Sequence, residues 1–598
     1  MARARLPVVR AGGDWAAHLA GRDGIVGADL SGHAVEITRR RLRIAIVCFG
    51  LVFTLLGARL VHLTAIGTNP AMAQRGAGGM SAQLRPMIVD RMGAVLATQM
   101  DTTTLAANPR EITDTETLSK QLAATLPDLS ASRLVRQLAT QSNYVTLKRG
   151  LTPAEKRAVL NLGNPALKLT ATPRRVYPSG AAAAHLVGFA SSDMNGLAGL
   201  ERRIDGLLDA ARDGELPENI FVPDENGQPV FETSIDIRVQ HGVRDILGQA
   251  MQRYKAKSAG AIMVDVHNGE IVALVSLPDF DPNQPTRDGM ELHFNQMTLG
   301  VYELGSIFKV FTAAMALESD QIGFEQTFDT AEPLQIGSHE INDVHGQARP
   351  LTISEIVTHS SNIGAAKLAL QVSGEEHLGF LQRLGLTDRI DFDLPETGQP
   401  IIPDQWGDIE RATVSFGHGL AVTPLHALMA GAAMVNGGVL YAPSLQRVDL
   451  PVGQRVISAQ SSAHIRAMMR AVVAEGTGRK ANVDGYEVIG KTGSAEKPVN
   501  GRYNENALLT SFIGAFPASA PRYALLVMFN EPKGIAATFG HALAGWNAAP
   551  TAGEIIRRTA PLLNIMPRRA EADRQARGHG PPDKLPSLAL MQGVSDAP

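Results

Sequence analysis

Residues Glu303–Glu318 read ELGSIFKVFTAAMALE, and the fold turns on how this stretch is interpreted. Ile307, Val310, Phe311, Ala314, Met315 and Leu317 recur at helical spacing, nothing from Ser306 onward breaks the run, and Gly305 stands just before it. The pattern predicts a helix opening at or near Ser306, where unpaired backbone N–H groups and the helix dipole favour negative charge. Lys309 lies one turn on and shares a face with Ser306. Between Phe308 and Val310 its ammonium is expected to be partly desolvated, which favours a neutral amine able to take a proton from a serine hydroxyl. The same spacing also suits a helix cap followed by a lysine that reaches back to water, so the pair needs support from elsewhere in the chain.

At 598 residues, with 44% hydrophobic and 19% charged side chains, the chain has core material for more than one domain. Its formal net charge is −3 and no basic run with interleaved aromatics occurs, which argues against nucleic acid as a partner. Cys48 is the single cysteine, so no intrachain disulfide and no CxxC metal or redox motif exists.

Cys48 lies in RRRLRIAIVCFGLVFTLLGARLVHLTAI, Arg39 to Ile66. Arg39, Arg40, Arg41 and Arg43 precede an uncharged run from Ile44 to Ala58, and beyond Arg59 the run continues as Leu60, Val61 and Leu63. If Arg59 snorkels, the usable helix reaches the length of a single membrane span, here 41–65. A cleaved signal peptide is the alternative, opposed by the distance of the run from Met1. The arginine excess places residues 1–40 in the cytoplasm and everything after about 66 outside. Gly50, Thr54 and Gly57 form a stripe of small residues along that helix.

Outside the membrane, residues 66–235 mix short strand-like runs with a helical stretch, PAEKRAVLNL. Two segments there stand out, LRPMIVDRMGAVLAT (84–98) and RRVYPSGAAAAHLVGFASSDMNGLAGLERRIDGLL (174–208); neither clusters catalytic groups, which suits a docking or spacing pedestal. Residues 236–565 open near TSIDIRVQ and continue into SAGAIMVDVHNGEIVALVS, two β-rich runs joined by a His-Asn-Gly turn. With the Ser306 helix, later helices and strands such as RYALLVMF, an α+β domain is expected. The tail 566–598 is charged and Pro/Gly-rich and reads as disordered.

Two further elements lie downstream of Ser306. In LTISEIVTHSSNIGAAKLALQV, Thr352 and Glu355 form a capping-box pattern and Ile363 begins another helical period, leaving Ser360 and Asn362 at the junction. A serine hydroxyl and an asparagine amide held there could relay a proton and bond an amide substrate, although a plain turn has the same composition. In YEVIGKTGSAEKP a β-branched run enters Lys491, Thr492, Gly493 and Ser494. The glycine suggests close approach of a ligand along the strand edge, and the lysine and hydroxyls suit a substrate carboxylate.

In this order, SxxK, SxN and KTG resemble the signature of penicillin-binding proteins and serine β-lactamases, with separations similar to those of class B penicillin-binding proteins. IVDRMGAVLA, YPSGAAAAHLVGF, GLAGLE, SFGHGLAVTPLH, EGTGRKA and SFIGAFP resemble further landmarks of that family. Pro86, Leu304 and Ser494 depart from its more frequent residues. The resemblance implies a membrane span, an elongated mixed α/β pedestal and a β-lactamase-like transpeptidase domain with a sheet flanked by helices. It further implies that Ser306 attacks the D-Ala-D-Ala amide of a peptidoglycan stem peptide with Lys309 as base, and that Ser360 passes the proton onward assisted by Lys491. Asn362 would bond the substrate backbone, and Thr492, Gly493 and Ser494 would meet the terminal carboxylate. The implied partners are stem peptides, β-lactam antibiotics as covalent inhibitors, a polytopic membrane glycosyltransferase and other division proteins.

YELGSIFK looks more like the septal cell-division enzyme than its elongation paralogue, which is the alternative; a β-lactam sensor or scaffold without turnover is another. A freely soluble β-lactamase fits less well, since the chain carries the pedestal and anchor and no ExxLN follows the SxN motif. His185, His359, His418 and His541 show no metal-ligand spacing, so neither a metal nor a cofactor is expected. The glycines of GHGL and EGTGRK read as turns.

Overall fold

The computed structural model describes residues 85–568 apart from 214–219, 286–290, 320, 345, 500 and 501, together with Val47, Phe49, Gly50, Leu51, Phe53 and Thr54. Those six isolated residues are helical and exposed, and Thr54 donates its hydroxyl to the Gly50 carbonyl at 2.7 Å. The rest of the expected span 41–65, the cytoplasmic segment 1–40 and nearly all of the tail 566–598 lie outside the described residues. Among the described residues no helix is long and apolar enough to cross a membrane.

The first part of the remaining unit is the pedestal. Its long strand Val95–Ala107 pairs antiparallel with Leu167–Val176 along one edge and with Met87–Val89 and Val145–Leu151 along the other. Met87–Val89 in turn pairs parallel with Pro229–Glu232, so the chain returns to the first strand before it enters the second part. Helices Thr115–Thr125, Ala131–Leu138 and Pro153–Asn161 bury Leu118, Leu122, Leu134, Leu138 and Val159 against one end of this sheet. The last of these helices is the expected PAEKRAVLN run, started by a capping box between Thr152 and Glu155.

The two conspicuous pedestal segments meet at a buried ion cluster. Glu201, which opens the GLERR helix and is fully buried, accepts from the guanidinium of Arg85 and, at 2.6 Å, from that of Arg175. Arg85 also pairs with Asp205 and donates to the Met194 carbonyl at 2.7 Å, and Arg175 donates to the Pro86 carbonyl at 2.6 Å. Every donor that faces inward thus finds an acceptor, the condition under which buried charge is tolerated.

The second part is a five-stranded antiparallel sheet between two helical layers. Its strands are β1 (Ser258–Asp265), β2 (Ile271–Leu277), β3 (Ile489–Val499), β4 (Arg502–Phe516) and β5 (Tyr523–Asn530), in the spatial order β2-β1-β5-β4-β3. Alternation splits each strand between two cores. Ile262, Val264, Ile513 and Leu526 face one, and Ala261, Met263, Phe512 and Val527 face the other. This is why β1 and β5 read as unbroken apolar runs. The second core is closed by α1 (Ile237–Arg253) and α7 (Ala548–Thr559). The first holds α2 (Phe308–Glu318), α3 (Ile353–His359), α4 (Asn362–Gln371), α5 (Pro424–Val435) and α6 (Ala459–Ala474).

The pedestal is clamped to this domain through polar contacts. Gln240 of α1 donates to the Ala182 and Leu274 carbonyls at 2.8 and 2.7 Å and accepts from Leu274 N at 2.9 Å. Arg91 pairs with Glu270 at 2.5 Å. Strand β3 lies at the edge of the sheet, with β4 on one side only, which leaves its other edge available near α2.

Candidate active site

The nucleophile turn comes first in the chain. Gly305–Ile307 is a single 3-10 turn and the α-helix proper opens at Phe308, two residues after the expected start at Ser306. Gly305 has φ of +60°, and a Cβ there would lie 2.7 Å from the Ser494 carbonyl oxygen of β3. Ser306 is half-buried at the mouth of the helix.

Lys309 projects from the next turn and is 1% exposed, so its desolvation is complete rather than partial as the sequence suggested. Its Nζ lies 3.0 Å from Ser306 Oγ, 2.6 Å from the Ser360 carbonyl oxygen, 3.2 Å from Ser360 Oγ and 2.7 Å from Asn362 Oδ1. The carbonyl and Oδ1 can only accept, so they fix two N–H bonds; the side facing Ser306 carries the lone pair when the amine is neutral. Burial, and secondly the charge of Lys491, push Lys309 well below the ordinary lysine range, while Asp343 opposes them. The helix thus brings a serine hydroxyl within hydrogen-bond distance of a buried amine.

Ser360 terminates α3 in the left-handed conformation, φ 63° and ψ 43°, which turns its hydroxyl back between two lysines. Lys491 Nζ donates to Ser360 Oγ at 3.0 Å and to the Thr492 carbonyl at 3.0 Å; burial lowers its pKa to about 7. Thr352 and Glu355 make the expected capping box at the other end of α3.

On β3, Thr492 Oγ1 lies 2.7 Å from Thr477 Oγ1, and Ser494 Oγ accepts from Ala544 N at 3.1 Å, which leaves the Ser494 hydroxyl hydrogen free to donate. A Cβ on Gly493 would lie 2.3 Å from the Leu304 carbonyl oxygen and 2.7 Å from Ser511 Oγ. The backbone just before Ser306 thus makes a close approach at Gly493. Ser306, Ser360, Asn362, Thr492 and Ser494 all line one cleft of about 440 Å³, which Trp546 closes at one end.

Three contributors were not visible in the sequence reading. Asp343 accepts from Ser361 Oγ at 2.6 Å, from Asn362 N at 2.5 Å and from Ile363 N at 3.0 Å, so it caps α4 and fixes the SxN junction from a separate turn. Thr477 orients Thr492, and Trp546 carries Lys480 over its ring at 4.0 Å. Nothing in INDVHG or AGWNAA singles out Asp343 or Trp546 before the chain is folded, and EGTGRKA, though noted as a landmark, does not single out Thr477. Among the described residues no group of three or more His, Cys, Asp or Glu side chains is placed to share a metal ion.

Comparison with known proteins bears on this geometry. The penicillin-binding protein transpeptidase domain matches residues 259–557, and the penicillin-binding protein dimerisation domain matches residues 81–216. The probable peptidoglycan D,D-transpeptidase FtsI of Caulobacter vibrioides is 37% identical over 541 residues, which cover 88% of this chain and 89% of that protein. The chain belongs to the penicillin-binding protein family. Peptidoglycan D,D-transpeptidase FtsI of Escherichia coli is 31% identical over 545 residues, covering 87% of this penicillin-binding protein and 91% of its relative. Among solved structures, the transpeptidase domain of Burkholderia pseudomallei penicillin-binding protein 3 aligns with a TM-score of 0.51 at 30% identity, over 56% of this chain and 98% of that one. Penicillin-binding protein 3 of Mycobacterium tuberculosis, solved with aztreonam, shares the fold at a TM-score of 0.62 and 24% identity, over 81% of this chain and 97% of that one. The class B resemblance drawn from the motifs agrees with these relatives.

Proposed function

We propose that this penicillin-binding protein is a peptidoglycan D,D-transpeptidase that works through an acyl-enzyme on Ser306 and is inhibited by β-lactams. The observation that carries the reading is the buried Lys309 amine, 3.0 Å from Ser306 Oγ, with no carboxylate bonded to it among the described residues. Ser306 Oγ attacks the carbonyl carbon of the D-Ala-D-Ala amide as Lys309 takes its proton. The developing oxyanion would be held by the backbone N–H groups of Ser306 and Ser494. The proton then passes through Ser360 Oγ to the departing D-alanine nitrogen as the C–N bond breaks, with Lys491 supporting Ser360 from 3.0 Å. Thr492 and Ser494 donate to the substrate carboxylate, Asn362 bonds the peptide backbone, and β3 offers its free edge to an extended chain. An amine from a second stem peptide resolves the ester and forms the cross-link.

Similarity to FtsI over nearly the whole chain supports a septal role rather than an elongation role. In this reading residues 41–65 anchor the chain in the bacterial inner membrane, residues 66–235 form the pedestal and 236–565 the periplasmic catalytic domain. A polytopic membrane glycosyltransferase that supplies glycan strands, with other division proteins, is the fitting partner. The test is labelling of the full chain with a fluorescent penicillin, mapping of the labelled peptide, and assay of D-alanine release and cross-linked product. Label on a residue other than Ser306, or label without any cross-linked product, would count against the transpeptidase reading. Midcell localisation of a fluorescent fusion would distinguish the septal role from a side-wall one.

A further inference from the structure

Glu475, Arg479 and Lys480 line the cleft beside Thr492 and Ser494, the part suited to a donor carboxylate. A second group lies outside that lining, where the turn Gly417–His418–Gly419 is wedged against Gly305, the residue before Ser306. Gly305 N donates to the Gly417 carbonyl at 3.2 Å, and a Cβ on Gly417, at φ of +84°, would come within 2.1 Å of the Gly305 carbonyl oxygen. Glu303 holds this arrangement: it accepts from Gly419 N at 2.9 Å and from the Tyr503 hydroxyl at 3.0 and 3.1 Å. No cation pairs with Glu303 among the described residues, so its negative charge is uncompensated.

His418 stands within this group. Its imidazole meets the edge of the Tyr503 ring at 5.8 Å and the Phe416 ring at 5.5 Å. Neither ring nitrogen has a hydrogen-bond partner among the described residues; Nδ1 is buried, which leaves Nε2 as the nitrogen a ligand can reach. The charged groups that act on it are Glu303 and Glu496, which favour the imidazolium, and Lys309, which disfavours it along with burial. Burial dominates and keeps the ring neutral, while the Tyr503 phenol is raised to about 12 and stays protonated.

The chemistry of the second half-reaction calls for such a group. An acceptor arriving as an ammonium must lose two protons to become an amide nitrogen. Lys309 can carry only one of them, to Ser306 Oγ, because its other contacts are fixed on Ser360 and Asn362. We propose that His418 Nε2 takes the other proton, so that Glu303, Glu496 and His418 form the recess for the amine that resolves the acyl-enzyme. The N–C bond forms as the C–Oγ bond breaks, one proton passes through Lys309 to Ser306 Oγ, and the second leaves on the imidazole for solvent. This inference rests on the acyl-transfer reading of Ser306.

The test uses the full chain in detergent, a D-Ala-D-Ala stem pentapeptide as donor and a D-amino acid as acceptor amine, with the wild type and His418→Gln compared. Penicillin labelling, which consumes no amine, is expected to keep its rate within about twofold. The ratio of aminolysis to hydrolysis is expected to fall about 100-fold near neutral pH and to recover as the pH approaches the pKa of the amine itself. Glu303→Gln is expected to raise the acceptor concentration needed for half-maximal aminolysis. An unchanged ratio in His418→Gln, or a loss of labelling in step with the ratio, would overturn the assignment. Failure of the wild type to label at Ser306 would instead remove the acyl-transfer reading beneath it.

Discussion

Asp343 accepts the Ser361 hydroxyl at 2.6 Å, and through that bond a separate turn sets the geometry of the Ser360–Asn362 junction. The same carboxylate caps the first N–H groups of α4, so Asn362 Oδ1 reaches Lys309 only while Asp343 is in place. Asp343→Ala is expected to slow penicillin acylation about 10- to 100-fold, the cost of misplacing a reacting constellation by a fraction of an ångström. Stopped-flow acylation rates beside a thermal melt check this; a normal rate would show that the junction holds itself.

Ser306→Ala removes a half-buried hydroxyl whose bond is to Lys309. Covalent labelling is expected to vanish while the melting temperature stays within a few degrees of the wild type. Stoichiometric labelling of this variant would assign the nucleophile elsewhere.

Because Lys309 is held well below the ordinary lysine range, acylation is expected to reach its plateau at a lower pH than an ordinary lysine base would allow. Lys309→Arg keeps the charge but stays protonated at every accessible pH, so it is expected to lose acylation by about 100-fold or more. A pH–rate profile of both proteins decides the matter, and an arginine variant near the wild-type rate would leave the lysine an electrostatic role only.

Lys491 yields a stability prediction. Its folded pKa is about 7, whereas an unfolded lysine titrates at about 10.4. Between those values the unfolded chain binds a proton that the folded chain does not, so stability rises with pH across that window and is lowest below it. Lys491→Met removes this titration. The unfolding free energy of the wild type relative to the variant is therefore expected to increase as the pH is raised from about 7 to about 10, read from urea melts. A difference flat in pH would show that the buried amine is charged in the folded protein.

Gly493→Ala is expected to abolish acylation and to destabilise the domain by about 1–3 kcal/mol, since the added Cβ would meet the Leu304 carbonyl at 2.3 Å and drive the nucleophile turn off β3. Penicillin labelling and a denaturant midpoint measure the two effects. Labelling at the normal rate would mean that the turn can withdraw without cost.

How far the sequence could be read depended on how local each feature was. Ser306 and Lys309 share one turn, Ser360 and Asn362 one junction, and Lys491 to Ser494 one strand, so short motifs marked them; Ser306, Ser360, Asn362, Thr492 and Ser494 line one cleft, and the two lysines bond to its serines from beneath. The apolar runs of β1 and β5 were legible as strands because both faces are buried. Helix α1 was not picked out, although Val239, Val243, Leu247 and Ala250 recur at helical spacing behind the cap Asp236, which accepts from Arg238 N and Val239 N. Asp343, Thr477, Trp546 and His418 act only through contacts between segments far apart in the chain, and polar turns such as INDVHG carry no periodicity that would mark one of their residues. Gly493 was marked as a place of close approach, and the Leu304 carbonyl makes one there, a partner that a lone glycine in the sequence cannot name.

The left-handed backbone at Ser360 sets folding and chemistry against each other at a single residue. A helix ending in that conformation is most stable with glycine, and a side chain there costs about 1–2 kcal/mol. Ser360→Gly would therefore relax the end of α3 and leave Lys309 and Lys491 facing each other across the space the hydroxyl occupied. Selection for thermal robustness alone would push this position toward an inert protein, so a screen that rewards only a higher melting temperature is at risk of enriching variants that no longer transfer an acyl group.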